Sequence, residues 1–171
     1  LRDSQVGLKG HTMKVISQPQ LKPALLAGIG AMLCISALAS LEQMSSQLLW
    51  LMAPFGATMV ILFALPDSPL AQPRNIVCGH LLTSLMGLII LHSVGVSPLS
   101  LGLAVGAGIA LMMLTHTVHP PAGANPLVIM LTAQGWDFLY SPVASGLVLI
   151  LSFGWLYHNL LCRRPYPQKW F

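Results

Sequence analysis

Charge is what this sequence has least of. Only 7% of its 171 residues are Asp, Glu, Lys or Arg, against roughly 25% in a soluble domain. So little charge cannot cover a water-facing surface, which excludes a soluble globular fold. The acidic residues are four, Asp3, Glu42, Asp67 and Asp137, too scattered to give the paired carboxylates of acid–base catalysis. No Ser-His-Asp set and no phosphate-cradling GxxxxGK loop occurs. The chain is therefore expected not to be an enzyme, and nothing in it calls for a cofactor. Cysteine is scarce as well: Cys34, Cys78 and Cys162 stand far apart. Without a CxxC pair or metal-like spacing they exclude a disulfide framework and read as free buried thiols.

What the chain does have is apolar length. It is 55% hydrophobic with mean hydropathy +0.75, and several runs approach the ~20 residues that cross a hydrocarbon core. The fold class is all-α, a polytopic membrane protein whose first partner is the lipid bilayer. The net charge of +4 sits mostly at the ends, in Arg2, Lys9, Lys14 and Lys22, then Arg163, Arg164 and Lys169. Basic residues flanking spans set topology; they form no face that could track phosphates, so nucleic acid is not a partner. Residues 1–20 read as a polar N-terminal tail and 165–171 as a C-terminal one, around a membrane domain at 21–164.

Two stretches inside apolar runs break the pattern. Pro-Phe-Gly-Ala-Thr at 54–58 and Pro-Ala-Gly-Ala-Asn-Pro at 121–126 put proline and glycine where a helix would otherwise continue. Thr58 and Asn125 are placed to cap fresh half-helices, with Pro126 suited to a first turn. Such starts carry free N–H groups and a partial positive charge. Facing one another, they would hold a small inorganic anion at Gly56, Ala57, Thr58, Gly123, Ala124 and Asn125.

A shift of 67 residues carries Pro54 onto Pro121, Gly56 onto Gly123, Ala57 onto Ala124, Gly79 onto Gly146 and Gly87 onto Gly154. These coincidences predict a duplication, repeat one over about 21–95 and repeat two over about 97–162. Each half holds a span, a broken span and a span, so three crossings invert the second half against the first. The expected fold is six helices as a 3+3 inverted repeat. The alternative is four spans plus two re-entrant segments, which would place Arg74 on the face opposite the basic tails. The six-crossing arrangement keeps all these cations on one side and puts both termini in the cytoplasm or stroma.

Ionisable groups at membrane depth are costly, hence functional candidates. His80, less than two turns into its helix, and Arg74, at that helix's start, could support the anion. His116 and His119, at i and i+3, could relay a proton or share a metal, although no carboxylate or thiolate stands beside them. His92 and His158 lie near span ends and read as interfacial. Gly79, Thr83 and Gly87 share one helix face, and Gly102 with Gly106 forms a GxxxG pair suited to internal or subunit contact. Homo-oligomerisation is expected.

The motif His119-Pro120-Pro121 with Ala122-Gly123-Ala124 resembles the signature of the HPP family of integral membrane proteins. Ala53-Pro-Phe-Gly-Ala and Asp67-Ser-Pro-Leu-Ala-Gln-Pro-Arg-Asn75, followed by Gly79-His80, resemble that family's other shared stretches. The likeness covers roughly residues 20–162; Asn125-Pro126 departs from an Ala-Thr-Ala-like continuation. Cyanobacterial and chloroplast members are implicated in nitrite transport, so the resemblance implies a transporter or channel for a small monovalent oxyanion, with nitrite the leading substrate, in a bacterial inner membrane or chloroplast envelope. The competing functions are a membrane scaffold or assembly protein, and a metal-handling protein using His116 and His119.

Overall fold

A computed structural model describes residues 21–45 and 50–169, all helix, turn and loop with no strand among them. The expected N-terminal tail, residues 46–49 and the last two residues lie outside that description. Six helices follow in order: α1 (Leu21–Met44), α2 (Ala53–Met59), α3 (Pro73–Val94), α4 (Pro98–Leu114), α5 (Asn125–Leu131) and α6 (Ser145–Leu156). Wider π-type turns prolong α2 to Ala64 and α6 to Leu161, and a 3₁₀ turn at Pro120–Ala124 leads into α5. Three stretches are long and apolar enough to cross a membrane: Leu21–Met44, Pro73–Val94 and Trp136–Leu161. The segments Ala53–Ala64 and Pro98–Leu114 are apolar but shorter.

Local chemistry sets the boundaries. Ser97 and Ser100 close a reciprocal capping box, with Pro98 in the first turn of α4. That helix stops at Leu114, four residues short of the expected Val118, where His116 takes a left-handed φ of 55°. Glu42 holds the lead-in to α2: its Oε2 accepts from the backbone N–H of Trp50 at 3.0 Å and of Leu51 at 2.7 Å. Met52 is extended, and helix begins at Ala53. His119 is extended too, with φ −137° and ψ 99°, as a residue before proline tends to be.

The breaks therefore come earlier than expected. Helix runs unbroken through Gly56, and through Gly123 as a 3₁₀ turn feeding α5. Thr58 and Asn125 do not cap these helices, because neither start carries a side-chain cap bond. The prolines decide this. Proline lacks the N–H that an interior turn needs and is at home in a first turn, so helix starts beside Pro54 and Pro120 instead of after Thr58 and Asn125.

Close packing depends on absent side chains. A Cβ on Gly79 would stand 2.8 Å from His119 Cβ and 3.3 Å from the carbonyl oxygen of Thr117; one on Gly87 would stand 2.8 Å from Pro126 Cα and 3.5 Å from Ile129 Cβ. On α6, a Cβ on Gly146 would meet the Phe55 ring at 2.3 Å and the Trp50 carbonyl at 3.2 Å, and one on Gly154 the Leu62 side chain at 3.0 Å. Thus α3 beds against the segment from Thr117 to Leu131, and α6 against the segment from Trp50 to Ala64. The 67-residue shift carries Gly79 and Gly87 onto Gly146 and Gly154, and Trp50 and Leu62 onto Thr117 and Ile129. Thr117 and Ile129 face Gly79 and Gly87 as Trp50 and Leu62 face Gly146 and Gly154.

The chain's described ends come together. Lys22 and Arg164 line one cavity with Leu26, Phe63 and Tyr157, the Tyr157 hydroxyl donates to the Leu26 carbonyl, and Arg164 pairs with Asp67. At the start of α6's stretch, Trp136 stacks on His92 with ring centroids 5.4 Å apart. His158 corrects its interfacial reading: it is buried, and its Nε2–H donates to the Leu62 carbonyl. Gly102 and Gly106 are exposed with open space above them, so their pair makes no internal contact.

Candidate functional site

Four of the residues singled out from sequence meet at one buried point. Thr58, His80, His119 and Asn125 are each 0% exposed. Thr58 faces inward from α2, His80 from α3, His119 from the loop before Pro120, and Asn125 from the first turn of α5. Thr58 Oγ1 lies 2.9 Å from Nε2 of His80 and 3.0 Å from Nε2 of His119. The two imidazoles have ring centroids 5.0 Å apart, and Phe55 packs edge-on against His80 at 5.3 Å.

Each remaining polar atom is held. His119 Nδ1 stands 2.8 Å from the Leu70 carbonyl. The Asn125 amide nitrogen lies 2.9 Å from His80 Nδ1 and 2.9 Å from the Ser84 hydroxyl. Ser84 is a partner that sequence reasoning missed, although its place one turn beyond His80 was a usable signal. The Leu70 carbonyl carried no such signal, being backbone brought in by the loop between α2 and α3.

That loop is itself tied down from the chain's other end. Gln72 donates from its amide to the carbonyls of Pro66 and Ser68 at 3.0 and 2.9 Å and accepts from the backbone N–H of Gln168 at 2.8 Å. The Tyr166 hydroxyl donates to the Ala71 carbonyl at 2.7 Å, and burial pushes that phenol's pKa up. Residues 164–168 thereby strap the loop whose Leu70 carbonyl holds His119.

The other expected site residues lie elsewhere. Gly56, Ala57 and Ala124 are exposed; Ala57 and Ala124 line an outward apolar groove with Pro54, Val60, Pro121 and Val128. Gly123 is half-buried, and a Cβ added there would have nothing within 4 Å. Arg74 stays at the start of α3, where its Nη2 donates to the Thr115 carbonyl at 3.0 Å. There it borders a cavity of about 230 Å³ with Gln72, Asn75 and Lys169. The His116–His119 pair does not form: His116 is exposed, and both ring nitrogens of His119 are engaged. Among the described residues no group of three or more His, Cys, Asp or Glu could hold a metal.

The family model described as the HPP transmembrane region matches residues 16–167. The chain belongs to the HPP transmembrane family. Two relatives from Dictyostelium discoideum, each described as a transmembrane protein, support the placement. One is 32% identical over 85% of this chain and 54% of its own length; the other is 35% identical over 71% of this chain and 42% of its own. The chain thus spans about half the length of these curated relatives. No solved structure matches it.

The arrangement suits a particular chemistry. An isolated polar group in a hydrocarbon environment is costly unless bonded, and this HPP-family protein gathers a hydroxyl, two imidazoles and an amide at one point. Hydroxyl, amide and protonated imidazole can all donate. No carboxylate is among the contacts that would favour a cation.

Proposed function

We propose that this HPP-family protein passes a small monovalent oxyanion, nitrite above all, across a membrane, with Thr58, His80, His119 and Asn125 forming the polar point along its route. The observation that carries this reading is the cluster itself. It is wholly buried, rich in donors, and built where the two proline-started segments pack side by side. The site shifts from the backbone N–H groups expected at Gly56 and Gly123 to these side chains. Arg74, in the cavity beside Lys169, serves as a cationic approach.

Six crossings as an inverted repeat fit this function, since transporters of that design bind their substrate between the halves. The exchanged contacts of Gly79 and Gly87 with those of Gly146 and Gly154 support that reading, as does the meeting of Lys22 with Arg164 at one end. The basic residues at that end favour the cytoplasmic or stromal side. Exposed Gly102 and Gly106 offer a face for self-association.

Flux into liposomes from a panel of nitrite, nitrate, formate and chloride tests the proposal. Wild-type protein is expected to carry at least nitrite above the empty-liposome rate. His119→Gln is expected to lower flux at least tenfold, and Gly123→Val to leave it near wild type. No flux above empty liposomes, or full flux in His119→Gln, would refute the reading and leave a scaffold role. Zinc-dependent stabilisation lost in His119→Ala would point to metal handling.

A further inference from the structure

The positions of the protons in the cluster follow from one backbone carbonyl. The Leu70 oxygen can only accept, so His119 Nδ1, 2.8 Å away, carries the hydrogen. In the neutral ring Nε2 is then a bare acceptor, and the Thr58 hydroxyl donates to it across 3.0 Å. Thr58 Oγ1 in turn accepts from His80 Nε2–H at 2.9 Å. His80 Nδ1 is left bare and accepts from the Asn125 amide at 2.9 Å. Both imidazoles and the Thr58 hydroxyl are then satisfied, with their hydrogens pointing one way, while Asn125 Oδ1, 3.3 Å from the same His80 nitrogen, receives no hydrogen from it.

The same heavy atoms permit a second arrangement. Thr58 Oγ1 also lies 3.3 Å from the Pro54 carbonyl. If a proton adds to His119 Nε2, the imidazolium donates to Leu70 O from Nδ1 and to Thr58 Oγ1 from Nε2. The Thr58 hydrogen turns to Pro54 O, and Oγ1 accepts from both imidazoles with its two lone pairs. No donor or acceptor of Thr58, His80 or His119 is orphaned and no heavy atom has to move. One hydroxyl rotation therefore keeps the hydrogen bonds of His119 and Thr58 made in both protonation states, and the burial of the charge itself is the cost that remains.

Among the described residues nothing fixed balances that charge. Around His119 stand Thr58 from α2, Gly79 and His80 from α3, and the Leu70 carbonyl. The described carboxylates lie elsewhere: Glu42 on the N–H groups of Trp50 and Leu51, Asp67 on Arg164, and Asp137 beside Gly135. Arg74 is bonded to the Thr115 carbonyl. Among the described residues His80 is the one titratable neighbour, and two positive rings with centroids 5.0 Å apart would repel, which limits the pair to one proton at a time.

We propose that His119 is the proton-carrying group and the Thr58 hydroxyl its two-position switch, so that each anion crosses with one proton. The proton adds to the Nε2 lone pair from one aqueous face and leaves to the other, and no covalent bond to the anion forms. This rests on the anion-transport reading above.

The test has two arms. In liposomes with a trapped pH dye, an inward gradient of sodium nitrite, and of sodium nitrate in parallel, is expected to acidify the lumen by one proton per anion. Nitrate is included because nitric acid is too strong to leak as the neutral acid. Flux should rise about tenfold per unit of falling pH while neutral His119 predominates, the slope of one proton. Thr58→Val should flatten that slope and Thr58→Ser restore it. Anion flux without acidification would overturn the inference and leave the transport reading standing, whereas no flux of either anion would sink the transport reading itself. The second arm, ¹⁵N-imidazole NMR of the full chain in detergent, decides the switch without flux. His119 is expected as the Nδ1–H tautomer, with a titration that moves in Thr58→Val and returns in Thr58→Ser. The Nε2–H tautomer, or a titration indifferent to Thr58→Val, would overturn the proposal.

Discussion

Adding one methyl group to each of six glycines would separate packing from ligand approach. Gly146→Ala places a Cβ 2.3 Å from Cε2 and 2.8 Å from Cζ of Phe55, with the Trp50 carbonyl 3.2 Å behind it. Phe55 is fully buried and packs edge-on against His80, so it has little room to retreat without disturbing the polar cluster. Overpacking of this kind costs about 1–3 kcal/mol and sometimes more, while alanine's better helix propensity returns up to about 1 kcal/mol. We expect a net loss of about 2 kcal/mol, or roughly 4–8 °C in thermal midpoint at about 2–4 °C per kcal/mol for a chain of this size. Gly87→Ala meets backbone at Pro126 Cα, 2.8 Å away, and should behave alike. Gly79→Ala comes next, and Gly154→Ala should cost least of the four because Leu62's methyls can shift. Gly56→Ala and Gly123→Ala meet open space and should be neutral or stabilising by about 0.5–1 kcal/mol. Thermal unfolding of the six purified variants in one detergent checks the ranking. A Gly146→Ala variant as stable as wild type, or a Gly56→Ala variant that loses as much, would refute the packing argument.

Three further outcomes follow from particular bonds. Glu42→Ala should lower stability by about 1–3 kcal/mol, because two backbone N–H groups lose their acceptor; thermal unfolding in detergent reads it, and Glu42→Gln, which keeps one acceptor oxygen, should recover part of the loss. Gln72→Ala should free the strap at residues 164–168, seen as faster amide hydrogen exchange at Gln168 and Lys169, while Tyr166→Phe should cost about 1 kcal/mol through its lost bond to Ala71. Because burial raises the Tyr166 phenol above its unfolded value, its share of stability is complete below about pH 10 and declines as pH rises further. Tyr166→Phe should remove that part of the alkaline decline; an unchanged decline would assign it to other groups.

The order of amino acids was enough to settle the class of molecule, its helix count and its family. Low charge leaves only a membrane to bury so much apolar surface, and prolines with serine caps mark helix starts by rules that are local, as Ser97-Pro98 shows. Gly79 and Gly87 were legible as a close-packing face, because small residues at four-residue spacing let a neighbouring segment approach. Which residues meet was not legible in the same way. Thr58 and Asn125 read as caps from local rules, yet their side chains turn inward to His80 and His119, because helices start at the prolines and capping was already decided upstream. Gly56 and Gly123 read as approaches to a ligand; among the described residues no other side chain packs over them. The direction of every proton in the cluster hangs on the Leu70 carbonyl, supplied by a loop 49 residues away from His119 in the chain. Backbone has no residue-type signature, so the folded chain alone could place that acceptor, and with it the chemistry of the site.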